Sequence, residues 1–300
     1  RVHLLVLVLA AAIPAVALVF LSGLELRQQA VEKSQDTALR MVQAMDEDLQ
    51  RVEGSTRLLL ASLAEVPSVR NLDLKATGEL LARLSRKHPI YASLFLVTLD
   101  AKVSASSLPM TGPIDVSDRK YFKDVMRTRD FAVGEYAVSR TAKKAVLHFA
   151  YPVMNESGKL LAVIGAGFDV AALTDTFDSA GLPAGSAMAL SDSSGTRLHR
   201  YPDPEKWIGL PEREAVWAQF QALGEEGTTI GIGADGVRRL YAVKRLRARP
   251  GDNSYLLARV GIPEDTALAG VKALQARTLT LLAVALALVA GLAWALGGLI

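Results

Sequence analysis

The sequence predicts an α+β protein: a long N-terminal helix leading into two tandem antiparallel-sheet modules, flanked by two transmembrane helices. Three observations carry this expectation. An almost charge-free run stands at each end, residues 2–24 and 279–300; a proline-free stretch with helical apolar spacing follows the first run; and a strand pattern recurs at an offset of about 93 residues. The chain has 300 residues, half of them hydrophobic, which is ample for well-packed cores.

Each end run is about 20 residues, the length that crosses roughly 30 Å of hydrocarbon as a helix. Pro14 is tolerable in a membrane helix, and Trp294 suits the second run. A cleaved signal peptide is the alternative for the first run, since Ala15-Val16-Ala17 resembles a cleavage site. The chain starts at Arg1 and stops at Ile300 inside an apolar run, so a missing output domain is expected. The predicted organisation is a first span over 1–24, a stalk helix over 25–63, a membrane-distal module over 64–177, a membrane-proximal module over 178–263, a connecting helix over 264–278 and a second span over 279–300.

In the stalk, Ala38, Val42, Met45, Leu49, Val52, Thr56, Leu59 and Leu63 alternate four and three apart, forming a seam that faces one partner surface. That surface is either a second copy or the chain's own sheets. Beyond Pro67, residues 74–84 read as a helix, 93–106 as two strands turning at Asp100-Ala101, 107–118 as a polar loop and 121–127 as a helix. Strands follow over 131–139, 145–153 and 160–169, the last two joined by Asn155-Glu156-Ser157-Gly158, which has hairpin-turn chemistry.

The repeat pairs the apolar strand 93–100 with 186–192, each ending at an aspartate turn, and 160–165 with 255–261. Small residues at Ala283, Ala287, Gly291 and Ala295 share one face of the second span, where a second copy's helix can approach closely.

Composition excludes several function classes. A net charge of +3 gives no footprint for nucleic acid, and the absence of cysteine removes disulfides and thiolate metal sites. His3, His88, His148 and His199 are scattered, each structural or exposed, and no metal site is predicted. Gly231-Ile232-Gly233-Ala234-Asp235-Gly236 fits GxGxxG formally but leads into a strand, so it reads as a hairpin turn. No catalytic residue and no cofactor is predicted. Arg238, Arg239, Lys244, Arg245, Arg247 and Arg249 cluster as a solvated strand face or a contact to anionic headgroups. Lys143 and Lys144 read as solvated loop charges.

Four segments carry a resemblance: Asp118-Arg119-Lys120-Tyr121-Phe122, Val133-Gly134-Glu135-Tyr136, Phe149-Ala150-Tyr151-Pro152-Val153 and Gly165-Ala166-Gly167-Phe168-Asp169. With two spans, a long first helix and a duplicated sheet, the sequence resembles the double Cache (dCache) extracytoplasmic sensors of bacterial transmembrane receptors. The resemblance implies PAS-like modules, of which the membrane-distal one holds a ligand. In the amino-acid-binding subgroup a motif arginine and a strand-end aspartate read the two ends of the ligand, and these fall on Arg119 and Asp169. Tyr121 and Phe122 stand where that subgroup prefers tryptophan and tyrosine, and Ile114 lies near where it has another tyrosine. A small organic carboxylate held by Arg119 with Tyr136 or Arg140 therefore stands beside an amino acid as the expected ligand.

Residue chemistry points the same way. Arg119 offers a planar fork of donors to a carboxylate, Tyr121, Phe122 and Tyr136 offer aromatic walls, and Asp169 offers acceptors to an ammonium. The candidate ligand-binding set is Arg119, Tyr121, Phe122, Tyr136, Arg140, Tyr151 and Asp169. The structural alternative makes Asp118 and Arg119 helix caps, Tyr121 and Phe122 core anchors, and Asp169 a buried hydrogen-bonding group. The expected whole is a homodimeric receptor in the bacterial inner membrane, its sensor region periplasmic, coupled to a histidine kinase, a diguanylate cyclase or a chemotaxis domain, with resemblance favouring the first two. A membrane-tethered periplasmic enzyme and a ligand-free assembly module are the rivals.

Overall fold

The computed structural model describes residues 2–169, 172, 181–247 and 256–296, with side chains from residue 13 onward except at 136, 293 and 296. Helix α1, Val2–Ala64, is followed by α2, Pro67–Arg70, and α3, Leu74–Lys87, whose N-cap Asp73 accepts a 3.0 Å hydrogen bond from the Ala76 amide. Then come β1, Tyr91–Thr98, β2, Lys102–Ser106, and a two-residue β3, Ile114–Asp115, inside the segment expected as a loop. Helix α4, Lys120–Thr128, precedes β4, Ala132–Val138, β5, Ala145–Met154, and β6, Leu160–Asp169.

The second half holds β7, Ala187–Asp192, β8, Arg197–Tyr201, α5, Pro204–Trp207, α6, Glu214–Gln221, β9, Glu226–Ile232, β10, Arg238–Leu246, β11, Leu256–Pro263, and α7, Glu264–Leu296. Gly236, at φ 80°, turns the β9–β10 hairpin, so the GxGxxG match is a turn between strands.

The strands form two antiparallel sheets. The first has the order β3-β2-β1-β6-β5-β4 and the second β8-β7-β11-β10-β9. Without the short β3 the two orders are the same: β1 corresponds to β7 and β6 to β11, the two pairings that the repeat predicts. In both, the central pair is antiparallel and in direct contact.

Helix α1 runs along one face of both sheets, packing on β5 and β6 and, nearer its N-terminus, on β10 and β11. Ala38, Val42, Met45 and Leu49 are buried there, and Leu60 and Leu63 join them in one continuous core with the inner faces of the two sheets. The seam is therefore covered by the chain's own sheets. Thr56, within it, is fully buried and shares a 2.8 Å hydrogen bond with the Tyr91 hydroxyl. The opposite face of the first sheet is covered by α4, with Phe95, Val97, Phe122 and Val125 in a second core. The opposite face of the second sheet is covered by α6, with Phe220, Tyr241 and Leu257 in a third.

Strand β11 passes directly into α7, which lies against α1. Glu264, its first residue, pairs with Arg27 of α1 at 3.1 Å and with Arg238 of β10 at 2.7 Å. Gly23 makes the approach of the helices close, since a Cβ there would run into the Gln275 side chain. Among the described residues, Glu264–Leu292 is one helix long and apolar enough to cross a membrane. Ile13, Leu18, Phe20 and Leu21 of the first apolar run are exposed; the side chains of residues 2–12 lie outside the described ones.

The described members of the basic cluster are held by partners within the chain, Arg238, the most exposed of them, by Glu264. Arg239 is buried against Asp235 at 2.7 Å, Lys244 reaches Asp46 of α1 at 3.0 Å, Arg245 is bonded to the Gln221 and Gly224 carbonyls, and Arg247 pairs with Glu225. Arg249 lies outside the described residues.

Candidate ligand site on the first sheet

Strand β5 splits by parity. Leu147, Phe149, Tyr151 and Val153 turn toward α1 and the main core, whereas His148 and Ala150 turn to the face covered by α4. On that second face, between α4, the β4–β5 loop and the β2–β3 edge, lies a cavity whose charged and polar lining is Arg119, Arg140, His148, Tyr121, Ser139 and Thr141. Phe95, Val103, Ile114 and Val116 close it from the sheet side. It holds ≈ 270 Å³ of space between atoms, its mouth included, but only ≈ 10 Å³ is wide enough for a water molecule. That is about one water's worth of room.

Local sequence explains this shape. Strand β4 carries a bulge between Val133 and Tyr136, opposite His148. Gly134 sits in it, where a Cβ would lie 3.3 Å from the His148 Cβ and 3.4 Å from the Tyr121 Cβ. A glycine thus lets the helix-borne tyrosine and the strand-borne histidine come together: their rings are 4.8 Å apart, and Phe95 stands 5.8 Å from each.

The two cavity arginines differ in what holds them. Arg140 is fixed by Asp118, which accepts from Nη1 at 2.8 Å and Nη2 at 2.7 Å, and by the Asp115 carbonyl. The hydrogen bond from Arg140 holds Asp118 below the usual carboxylate range and raises the arginine. Arg119, half-buried at the N-cap of α4, makes one long hydrogen bond, 3.4 Å to the Val138 carbonyl, and has no ion pair among the described residues. The expectation that Asp118 and Arg119 cap α4 is not met: no side chain caps that helix, because Asp118 is turned to Arg140. Tyr121 is 2 % exposed, and burial raises its phenol.

His148 is the group that sequence analysis passed over. It is 6 % exposed, and burial, followed by the charges of Arg119 and Arg140, pushes its pKa down to about 3. The ring is therefore neutral at physiological pH, with no hydrogen-bond partner among the described residues. Its signal in the sequence is parity: it is the lone imidazole in the mostly apolar run Val146–Val153, one position out of phase with Leu147 and Phe149.

The structure brings Arg119, Tyr121 and Arg140 together around the cavity and leaves Phe122, Tyr151 and Asp169 apart from its lining. Phe122 is buried in the core beneath α4. Tyr151 lies on the opposite face of β5, packed against the main core. Asp169 ends β6 on the cavity face but accepts a 2.9 Å hydrogen bond from Lys144, which is thus not a free loop charge. Tyr136 has its backbone in β4, while its side chain lies outside the described residues. Among the described residues, no carboxylate lines the cavity.

No curated protein sequence matches the chain. Among solved structures it is similar to the extracellular domain assigned to a histidine kinase, at 19 % identity and a TM-score of 0.56, over 82 % of this chain and 95 % of that one. It is also similar to the ligand-binding domain of a Campylobacter jejuni chemoreceptor in complex with 4-methylisoleucine, at 16 % identity, TM-score 0.60, over 81 % of this chain and 94 % of that one. The ligand-binding domain of the Pseudomonas fluorescens chemoreceptor CtaA in complex with L-isoleucine matches at 15 % identity and TM-score 0.60, over 81 % of this chain and 98 % of that one. At such identities these likenesses concern the fold. The sequence model for the Cache domain, dCache_1, matches residues 22–271, most of the chain. With its long first helix, two like-ordered sheets and that match, the chain belongs to the dCache family of Cache domains.

Proposed function

We propose that the chain is the extracytoplasmic sensor of a bacterial transmembrane receptor, and that it binds a small organic carboxylate in the cavity of the first sheet, the membrane-distal module over 64–177. One observation carries the ligand class: Arg119 presents a guanidinium with no carboxylate partner among the described residues to a half-open, partly aromatic cavity, while its neighbour Arg140 is already neutralised by Asp118. A carboxylate would complete a fork of donors and be joined by the Tyr121 hydroxyl and the neutral His148. Partial exclusion of water strengthens that contact.

An amino acid is the second reading. Two similar domains hold amino acids or their analogues, and Asp169 lies on the cavity face at the end of β6. Its ammonium would require Asp169 to leave Lys144, which a simple carboxylate does not.

The cavity is wide enough only for water, so a ligand has to open it. That expansion is the differential binding by which a ligand shifts a receptor. The change passes by α1 and the second sheet, the proximal module over 178–263, into α7, whose apolar length crosses the inner membrane. The output domain we propose is a histidine kinase or a diguanylate cyclase, driven by a homodimer joined along Ala283, Ala287 and Gly291 of α7, residues exposed in the single chain.

The test is a thermal-shift screen of the full chain in nanodiscs against short organic acids and L-amino acids. At about 100 times its dissociation constant a true ligand stabilises by roughly 2.7 kcal/mol. Arg119→Ala should erase that shift with the unliganded melting temperature unchanged, and a full response from this variant would show the ligand to lie elsewhere. A hit restricted to amino acids and abolished by Asp169→Asn would favour the second reading.

A further inference from the structure

The second sheet carries a cavity in the place equivalent to the first, on the face turned away from α1, and its walls are strongly basic. Arg197, Arg200 and Arg259 line it with Glu212 and Tyr241, and Arg239 stands beside it on Asp235. All four arginines are buried, at 3–6 % exposure. Glu212 takes Arg197 at 2.7 Å and also Arg259, and Asp235 takes Arg200 at 2.6 Å and Arg239 at 2.7 Å. Among the described residues, four guanidiniums thus share two carboxylates, an excess of two positive charges in a place nearly shut off from water.

An uncompensated buried charge is among the costlier features a fold can carry. Here the sequence goes to some length to produce it. Arg197 and Arg200 are three apart on β8, a spacing that puts side chains on opposite faces of a regular strand. The bulge at Leu198, where the register with β7 shifts between Leu190 and Ser191, turns both to the same side. Across from them stand the small residues Ala187, Ala189 and Gly261, and Gly261 leaves the room that the Tyr241 ring occupies.

The arginines also differ in how fully they are bonded. Arg239 and Arg259 spend their donors on carboxylates, the Gly185 carbonyl and the Ser191 hydroxyl. Arg197 keeps a buried Nη1 with no hydrogen-bond partner. Arg200 makes one hydrogen bond, to Asp235, so donors remain on its guanidinium. The Trp207 ring lies 5.2 Å from the Arg197 guanidinium and 4.4 Å from that of Arg200, covering both. Both arginines are held by an indole and one carboxylate each, with the Pro211 carbonyl taking Arg197 Nη2 at 3.1 Å, and both keep donors to spare.

We infer that this cavity is a second ligand site, on the membrane-proximal sheet, for a small doubly charged oxyanion, bound by Arg197 and Arg200 while Arg239 and Arg259 hold the framework. A dianion matches the excess of two charges and the free donors; a zwitterion or a cation matches neither. The cavity's free space, ≈ 20 Å³ wide enough for water within ≈ 330 Å³ of space between atoms, is small, and the groups that narrow it include the two that would turn onto the anion. The site is separate from the Arg119 cavity and does not depend on it.

The experiment uses the full chain in detergent, titrated with inorganic phosphate, sulfate and thiosulfate against sodium chloride at matched ionic strength, and read by melting temperature and calorimetry. Expected is saturable binding of at least one of the three, absent with chloride. Arg200→Gln, which leaves Arg239 on Asp235, and Arg197→Lys, which keeps a cation beside Glu212, should each weaken it at least tenfold, and Arg119→Ala should leave it unchanged. Should Arg197→Lys fail to fold, Arg200→Gln decides alone. A response that does not saturate, that chloride reproduces, or that survives in the decisive variants overturns the inference and shows an adventitious ion only. Loss in Arg119→Ala with retention in Arg200→Gln overturns it too, placing the anion in the first cavity.

Discussion

His148 gives the most direct physical test of the first cavity, because its burial has a consequence for stability that can be read without any ligand. An unperturbed imidazole titrates at 6.5, and in the folded chain desolvation and the nearby guanidiniums lower it to about 3. The folded state thus disfavours the proton that the unfolded state accepts. A group depressed in this way contributes stability that is complete above pH 6.5 and is lost as pH falls toward 3. At pH 5 the unfolded chain holds the proton and the folded chain does not, a difference of about 1.5 units, or about 2 kcal/mol at 1.36 kcal/mol per unit. His148→Gln removes the titrating group and keeps a neutral polar side chain. Between pH 7.5 and 5 the wild type should lose about 2 kcal/mol more than the variant, a gap of about 4–8 °C in melting temperature for a domain of this size. Differential scanning fluorimetry of both proteins across that range measures it. Equal pH slopes would refute the neutral, enclosed imidazole, and with it the closed cavity.

Other perturbations test the frame around the two sites. His199, fully buried on the core side of β8 and lowered by burial to about 4, should add a similar loss on acidification, removed by His199→Gln in the same fluorimetric comparison. Gly165→Ala places a Cβ 2.5 Å from the Phe95 ring and 3.2 Å from the Phe149 carbonyl. It should cost about 1–3 kcal/mol and blunt any ligand response, since Phe95 is a cavity wall; denaturant melts and the ligand screen report the two effects. Thr56→Val takes from the buried Tyr91 hydroxyl its 2.8 Å partner and should cost about 1–2 kcal/mol, measured by urea unfolding. Glu264→Gln weakens exposed pairs to Arg27 and Arg238, so stability should change by less than about 1 kcal/mol while ligand control of output falls, as an activity assay of the intact receptor would show.

The frame of the fold was legible in the sequence because its signals are periodic. The seam from Ala38 to Leu63, the alternating strands and the hairpin chemistry at Asn155–Gly158 all act locally, and the repeat supplied the equivalence of β1 to β7 and of β6 to β11. Motif residues led to Arg119 and Tyr121, and the expectation of a carboxylate ligand added Arg140. What was missed depends on three-dimensional placement. Tyr151 belongs to a motif, yet it shares parity with Phe149 and so turns to the main core, while His148, of the other parity, faces the cavity. Strand β8 was not anticipated at all, since Arg197-Leu198-His199-Arg200-Tyr201 is mostly polar and reads as a loop. Its bulge, which decides where two arginines point, leaves no trace in composition. Nor could the stretch from Arg238 to Arg247 be read as paired, because its partners Asp46, Glu225 and Asp235 come from a helix and two turns that only the tertiary fold brings near.

A small change in the first cavity has a packed route to α7, and its stiffness follows from packing. The main core is continuous from the inner face of the first sheet, along α1, to the inner face of the second. Such interiors are close-packed, so β5 and β6 cannot shift against α1 without displacing the same helix from β10 and β11. Strand β11 enters α7 with no intervening loop, and Glu264 stands at that junction, tied to α1 and to β10 at once. A relative movement of α1 and β10 therefore arrives at Glu264 as a change in where α7 begins. Because Gly23 brings α1 and α7 into close contact, a displacement at that junction is carried along the helix pair rather than absorbed between its members. An anion on β8 would act on the same second sheet at its far edge, giving the two cavities independent access to one lever.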